Sequence, residues 1–466
     1  MPRLVLAALG VGVAVAAGSY GVAEPTRDFA LILVAAVVGV VLLALAYLRF
    51  EAFLLTVLAI RTSVDWTNAP SGAGEPTKSG AMTTALALVF LGAAVLWLLV
   101  QFKSGRLVPP SLLSLAWLAF VGVALVSAVA ADRRPESLAE WGRIATVVGM
   151  LLVLQQMLGQ GVSVRRVLVA CYVSAVVPLV LAAYQAVTSG GAAPGGVARV
   201  RGTFAHPNAF GFYLVILLVM GVALLPHVAR NLRLPLLALL WISALALLVT
   251  YSRGSWFALI IGLIVVGVLQ SPRTILLMLG VAVVLAVSVP PITARLLDLQ
   301  QGPNVAGIEG NSLAWRFEYW DTLIDLANDS PIVGIGPKMT QYVTDSAKVP
   351  HNDYLRAYVE TGVLGLSAYI AVVAALIHTA RHALSWAPAG LGQGVAVGFA
   401  GCVASFLLFS VAENLMSQVV VLWYFAAFAA AAVTVSRWHP DLEQARSGVA
   451  SQRSSSLFRP ADDGRW

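Results

Sequence analysis

Long apolar runs, separated by short polar connections, make up most of this chain. A helix needs about 20 apolar residues to cross the hydrocarbon core of a membrane. By that measure the pattern predicts an all-α, polytopic integral membrane protein with about 12–14 transmembrane helices. The predicted helices lie at residues 4–20, 28–48, 52–64, 81–101, 112–131, 141–158, 164–187, 208–225, 232–250, 254–270, 274–290, 361–379, 391–411 and 418–436.

Two of these predicted helices leave alternatives open. Residues 52–64 form a short run that contains Arg61, so they either cross the membrane or enter and leave it on one side. Residues 4–20 follow Arg3 and precede small residues, which is also the pattern of a signal peptide. We favour a retained helix.

The composition supports the membrane class and removes several others. Charged residues make up only 11% of the chain, whereas ordinary soluble domains carry roughly 25%. The net charge of +7 is spread over short loops without an aromatic-interleaved basic patch, so we expect no nucleic-acid partner. Cys171 and Cys402 both lie in apolar runs, and we therefore expect no disulfide and no metal site. We also expect no cofactor.

Basic residues in alternate connections predict the orientation. Short cytoplasmic loops carry an excess of lysine and arginine. The connections assigned to the cytoplasm by this rule hold Arg49, Lys103 with Arg106, Arg165 with Arg166, Arg230 with Arg233, Arg273 and Arg381. Both termini then lie inside a cytoplasmic (inner) membrane. The segments that face the periplasm or the cell exterior are 188–207, 251–253, 291–360 and 412–417.

The same reading divides the chain into three parts. Residues 1–190 are predicted to be N-terminal transmembrane helices. Residues 191–436 form a core that contains the external loop 291–360. Residues 437–466 are polar, basic and serine-rich, and we predict a disordered cytoplasmic tail that touches the lipid bilayer.

Of the six histidines, only His206 and His351 face the outer side of the membrane in this topology. His351 follows Pro350 and opens a segment predicted to be helical, which would put His351 on one face with Leu355 and Tyr358. Histidine accepts a proton readily near neutral pH. A histidine that only forms a hydrogen bond at the interface is the alternative, and the arginine-rich setting favours a catalytic role.

Neighbouring residues extend this external polar segment. Asn352 or Asp353 is predicted to cap the helix. Arg356 and Glu360 are four residues apart, which allows an ion pair. Asp353 and Glu360 also keep a paired-carboxylate mechanism open, although an orienting role suits them better.

Two arginines outside this segment are candidates for binding an anion. Arg253 lies in a tight connection and either anchors to lipid headgroups or holds a diphosphate with its planar guanidinium. Arg316 belongs to a predicted amphipathic helix at 312–327, capped by Ser312. Its interfacial face would hold Trp315, Tyr319, Thr322 and Leu323, with Arg316 near Trp320.

A third external cluster follows a glycine-rich linker at 190–196. It contains Arg201, His206 and Asn208. Arg201 is a candidate for an anion site. Asn208 is predicted to cap the next helix, which would be a purely structural role.

At these residues the chain resembles the O-antigen ligase and O-antigen polymerase superfamily of lipid-linked glycan transferases. The matching stretches cover about residues 195–380. They are the Gly202-Thr203-Phe204 to Gly211 segment, Ser252-Arg253-Gly254, the loop from Arg316 to Gly336, and His351-Asn352-Asp353-Tyr354-Leu355 with Glu360 and Gly362.

The resemblance implies a membrane glycosyltransferase of GT-C-like fold that acts without a metal and inverts the anomeric centre. Its donor would be an undecaprenyl-diphosphate-linked glycan and its acceptor a hydroxyl of a glycan or lipid. His351 would be the general base, and Arg253 and Arg316 would complete the catalytic set. The residues expected to bind substrate are Arg201, His206, Asn208, Asn352, Tyr354, Arg356 and Glu360.

Other functions remain open at this stage. A polytopic transporter or a flippase of lipid-linked oligosaccharides would also be apolar, but it would need charged residues near the middle of its helices, and the predicted spans contain few. A non-catalytic scaffold for envelope-assembly proteins is the second alternative. Ligase, polymerase and protein O-glycosylation activities are not separated by the sequence.

Overall fold

The computed structural model describes residues 40–64, 78–188, 199–271, 314–344 and 349–437. Every regular element among these residues is a helix. The predicted helices 4–20 and 274–290, the linker 190–196, Ser312 and almost all of the tail 437–466 lie outside the described residues.

The helices run in chain order and are numbered here from the first one with fully described bounds. They are α1 Phe50–Val64, α2 Lys78–Lys103, α3 Leu112–Ala130, α4 Arg134–Gly159, α5 Val164–Val173, α6 Val176–Thr188, α7 Pro207–Leu224, α8 Arg230–Val249, α9 Arg253–Gln270, α10 Ala314–Asn328, α11 Thr340–Val343, α12 Asp353–Trp386, α13 Leu391–Ala412 and α14 Val419–Ser436. Residues 40–48 are also helical, and Leu415–Ser417 form one 3₁₀ turn.

Within the described ranges, nine helical segments are long and apolar enough to cross a membrane. They are α3, α4, the consecutive pair α5 and α6, α7, α8, α9, α12, α13 and α14. The protein is therefore an all-α, polytopic membrane protein, as the apolar pattern predicts. Helix α1 has 15 residues, so its length of about 22 Å falls short of the roughly 30 Å hydrocarbon core.

Of these nine segments, α14 is the most completely buried. Helix α14 is buried along nearly its whole length and packs against α4. Its two aromatic residues with polar tips both find partners. Trp423 Nε1 donates to Thr146 Oγ1 at 3.0 Å, and the Tyr424 hydroxyl donates to Leu58 O at 2.7 Å.

Close packing of α9 against α13 depends on small residues. A side-chain carbon on Gly401 would lie 2.8 Å from the carbonyl oxygen of Gly262, and one on Gly262 would collide with Ser405 and Val219. Glycine therefore lets the two backbones approach. This contact sets the start of α9, at Arg253, beside the end of α13.

The helix that follows His351 differs from the prediction. Helix α12 begins at Asp353, with Asn352 as its N-cap. Asn352 Oδ1 accepts hydrogen bonds from the amides of Tyr354 and Leu355 at 3.0 and 3.1 Å, which confirms the predicted cap. His351 precedes the cap and has a φ of 52°. The prediction that His351 shares a helical face with Leu355 and Tyr358 is therefore wrong.

Helix α12 contains both the helix predicted after Pro350 and the predicted span 361–379, and its backbone breaks between them at Gly362, where φ is 67° and ψ is −169°. The turn at 330–336 fills the break. Val363 N donates to Pro331 O at 2.8 Å, and Gly336 N donates to Glu360 O at 2.9 Å. The external loop is thereby attached to α12 by backbone hydrogen bonds.

Helix α10 confirms that the 312–327 segment is helical, but its contacts differ from the prediction. Tyr319 and Leu323 are buried against Val359 of α12 instead of facing a membrane interface. Trp320 Nε1 donates to Pro350 O at 2.7 Å, so Trp320 contacts the segment before His351. Arg316, on the same helix, points to the end of α13.

Candidate functional site

The polar segments predicted to be external meet at one end of the bundle. Gln185, near the end of α6, donates to Gly202 O before α7 at 2.8 Å. Asn208, in the first turn of α7, reaches the residue after α13, Glu413. Since α7, α9 and α12 begin at this end and α6, α8 and α13 finish there, their connecting segments can share a site.

Glu413 is the centre of that site. Its Oε2 lies 3.2 Å from His351 Nδ1. Its Oε1 accepts a hydrogen bond from Asn208 Nδ2 at 2.6 Å and lies 3.5 Å from Arg316 Nη2. One carboxylate therefore joins side chains from three separate parts of the chain, including two of the three predicted catalytic residues.

Further hydrogen bonds hold the members of this site. Arg316 Nη1 donates to Ala412 O at 2.6 Å, and the His351 amide donates to Asn414 Oδ1 at 2.8 Å. The positive φ of His351 is uncommon for a residue with a β-carbon and costs energy. The bond to Asn414 helps to keep that backbone shape.

The site remains partly open. The side chain of His351 is 24% exposed, and those of Glu413 and Arg316 are each 13% exposed. Burial by itself raises the pKa of Glu413, but the hydrogen bond with His351 and the positive charge of Arg316 outweigh it and lower that pKa below its usual value. Glu413 is therefore ionised at neutral pH and can accept a hydrogen bond from Nδ1–H of His351. In the imidazole tautomer with its proton on Nδ1, the lone pair lies on Nε2.

Arg253 is placed beside the site by its position at the start of α9. It is half-buried, and a side-chain carbon on the next residue, Gly254, would lie 4.0 Å from Glu413 Cγ. The amino end of a helix carries partial positive charge, so the start of α9 adds to the field around the site.

The segment before α7 contributes differently from the prediction. His206, not Asn208, is the N-cap of α7, and its Nδ1 accepts from the Asn208 amide at 3.1 Å. The Asn208 side chain is therefore available to Glu413. Partial burial lowers the pKa of His206, Glu413 opposes that effect, and Arg199 reinforces it. Arg201 bonds to Ala205 O at 3.4 Å.

The substrate-binding residues predicted at 352–360 are engaged in contacts within the protein. Tyr354 packs against Tyr369 with ring centroids 5.5 Å apart, and Asn352 is occupied in capping the helix. Arg356 Nε donates to Glu360 Oε2 at 2.9 Å, which confirms the predicted pair. Both of these side chains are buried. Contact of any of these residues with substrate stays a prediction.

Sequence reasoning missed Glu413, Asn414 and Arg199. Arg199 Nη2 donates to Asn208 Oδ1 at 2.7 Å and its Nε donates to Thr250 O at 2.9 Å, so it supports the site in the way expected of Arg201. A signal for Glu413 does exist, because it is a carboxylate directly after an apolar run in a predicted external turn. Among the described residues, no group of three or more His, Cys, Asp or Glu side chains is placed to hold a metal ion.

Comparison with known families identifies part of the chain. Residues 238–370 match the family model described as O-antigen ligase. The match includes Arg253, Arg316 and His351, whereas Asn208 and Glu413 lie outside it. No curated protein matches the chain at a significant level. Residues 238–370 are therefore similar to the O-antigen ligase family, and this match supports the resemblance to the O-antigen ligase and polymerase superfamily.

Proposed function

We propose that this protein transfers or polymerises a glycan from an undecaprenyl-diphosphate-linked donor onto an acceptor hydroxyl at the outer face of the cytoplasmic membrane. The observation that carries the proposal is the position of Glu413, which holds the imidazole of His351 and the guanidinium of Arg316 together. An imidazole and a guanidinium that meet at a partly open end of the bundle support the proposal, because the reaction needs a proton acceptor beside a cation.

His351 is the general base of the proposed reaction. The acceptor O–H gives its proton to Nε2 as the acceptor oxygen bonds to the anomeric carbon. The bond from that carbon to the diphosphate oxygen breaks, undecaprenyl diphosphate leaves, and the anomeric centre inverts. Glu413 fixes the tautomer and stabilises the imidazolium that forms. A positioned general base contributes about 10²–10⁴-fold to the rate.

Arg316 and Arg253 bind the diphosphate in this proposal. Negative charge grows on the leaving diphosphate, and donors already aimed at it stabilise the transition state. Arg316 Nε is buried without a hydrogen-bond partner among the described residues. An unsatisfied buried donor is costly, and a phosphate oxygen would satisfy it. In this reaction arginines take the place of a metal ion as the cations.

The test combines a deletion strain with a single substitution. Asparagine tolerates a left-handed backbone better than most residues, so His351→Asn keeps the local shape while it removes the base. We expect deletion and His351→Asn to leave lipid-linked glycan on the outer leaflet, with transfer reduced about 10²–10⁴-fold in the variant. His378→Asn, an exposed histidine toward the other end of α12, is the matched control and should transfer normally.

Two outcomes would overturn the proposal. Accumulation on the inner leaflet after deletion would identify a flippase, because the glycan would then fail to cross the membrane. Normal transfer by His351→Asn would remove the proposed base. Mass analysis of envelope glycans in the same strains identifies the acceptor, and with it separates ligase from polymerase activity.

A further inference from the structure

A second charged cluster, centred on Arg356, is more deeply buried than the site. Its Nη2 donates to Glu140 Oε1 at 3.1 Å and its Nε donates to Glu360 Oε2 at 2.9 Å. Nη1 donates to the hydroxyl of Ser417. The side chains of Arg356, Glu140 and Glu360 are 1%, 2% and 4% exposed. All three nitrogens of the guanidinium therefore already have protein partners.

Glu360 connects this cluster to the external loop. Its Oε1 accepts from Thr340 Oγ1 at 3.1 Å, and its backbone oxygen accepts from the Gly336 amide and from Ser127 Oγ. The loop that these bonds hold follows α10, the helix that carries Arg316. The position of Arg316 is thus tied to Glu360 through the loop.

Ser417 connects the cluster to the segment that carries Glu413. This segment, residues 413–418, is also held by Asp353, whose carboxylate accepts from the amides of Leu415 and Met416 at 3.0 and 3.2 Å. Arg143 adds a bond to Ser417 O at 3.3 Å and pairs with Glu140. The segment is therefore fixed to α12 and α4 at several points.

We infer that Arg356 is a positioning residue. It fixes the external loop relative to segment 413–418, and this relative position, or register, keeps Arg316 and His351 in contact with Glu413. Its buried guanidinium and its complete set of protein partners argue against a role in contacting the diphosphate. A planar guanidinium can bond in three directions at once, which a lysine ammonium cannot do in the same geometry. The functional meaning of this register rests on the proposed transfer reaction, whereas the register itself does not.

A distance measurement tests the register without any substrate. Spin labels at Phe317→Cys on α10 and Val411→Cys on α13 would report the separation of the two elements that Arg316 bridges. Both positions are exposed, while the native Cys171 and Cys402 are buried and escape labelling. We expect one narrow distance distribution in the otherwise unchanged full-length protein.

Three variants cut single links of the cluster. Thr340→Val removes a bond from the loop, Ser417→Ala removes a bond from segment 413–418, and Arg356→Lys keeps the charge but not the geometry. Each should broaden or shift the distance distribution while the protein still folds. Because misplacement by about 1 Å costs on the order of 10²-fold in rate, Arg356→Lys should reduce transfer by about that factor.

Leu154→Ala is the matched control, since Leu154 is a fully buried residue on α4 that lies about 21 Å along the helix from Glu140. It should lower the melting temperature and leave the distance distribution unchanged. If the three link variants also leave the distribution unchanged, Arg356 is only a stabilising residue and the inference is wrong. If the distribution shifts but wild-type protein transfers no glycan, the register stands and the proposed function fails.

Discussion

Two clusters of charged side chains lie within a few residues of each other at the start of α12, and they differ in exposure. The cluster at Glu413 has side chains that are 13–24% exposed, and one buried arginine nitrogen there has no hydrogen-bond partner among the described residues. The cluster at Arg356 has exposures of 1–4% at its three central members and engages every guanidinium nitrogen. The cluster at Glu413 is therefore open enough to contact a ligand, whereas the cluster at Arg356, built from similar residue types, bonds only within the protein.

The difference follows from the cost of removing charge from water. A fully buried ion pair is retained only when the partner charges and hydrogen bonds compensate for lost hydration. The cluster at Arg356 meets this condition with two carboxylates and a serine. The cluster at Glu413 keeps contact with solvent, so its groups can exchange protein partners for a bound anion at a smaller cost.

The largest expected effect separates the two clusters by stability. Arg356→Met leaves Glu140 and Glu360 buried without their shared cation, so it should lower the free energy of unfolding by about 3–5 kcal/mol. Arg316→Met removes a more exposed arginine that pairs with Glu413 at 3.5 Å, and should cost only about 1 kcal/mol. Thermal unfolding of both variants in the same detergent measures the difference.

Arg166→Met provides the baseline for that experiment. Arg166 pairs with Glu51 at 2.7 Å and is 65% exposed, so its loss should change stability very little. Equal destabilisation by the changes at 356 and 316 would mean that the two clusters do not differ in the way their burial suggests.

A smaller effect tests the attachment of the external loop to α12. The backbone at Gly362, with φ of 67° and ψ of −169°, is a conformation that only glycine adopts readily. A side-chain carbon there would also collide with Ile332. We expect Gly362→Ala to destabilise the protein by about 1–3 kcal/mol and to release the turn at 330–336.

Gly142→Ala is the matched control, because Gly142 lies inside α4 with open space around its missing side chain. Alanine is favoured over glycine within helices, so this change should be neutral or stabilising. Limited proteolysis of the external loop reports the release directly. Equal protease resistance of the Gly362→Ala variant and wild type would show that the turn is held by other contacts.

Local sequence patterns predicted the helices and several polar residues correctly. The 312–327 pattern corresponds to α10 at Ala314–Asn328, and Asn352 caps α12 as expected. Both features depend on residues close together in the chain. Arg316 and His351, whose side chains meet at Glu413, were also singled out as candidates, because a basic or titratable side chain outside the apolar runs is conspicuous.

Contacts between distant segments could not be predicted from local sequence patterns. Asn208 and Glu413 are 205 residues apart, and nothing in the local sequence reveals that their side chains meet. The ion pair between Arg356 and Glu360 was predicted from their spacing, but its burial was not. The two residues are compatible with a buried helix only because Glu140, from α4, completes their ion pairs.

The smallest expected effect is a dependence of stability on pH that arises from Glu413. Glu413 has a pKa below its usual value of 4.5, so it binds protons less readily in the folded than in the unfolded protein. Its contribution to stability is therefore present above pH 4.5 and is lost as the pH falls through its lowered folded value. Glu413→Gln has no such group, so its melting temperature should approach that of wild type as the pH is lowered below 4.5. The difference at pH 7 should be about 1 kcal/mol, and a difference that grows as the pH falls below 4.5 would show that Glu413 is not the ionised centre of the site.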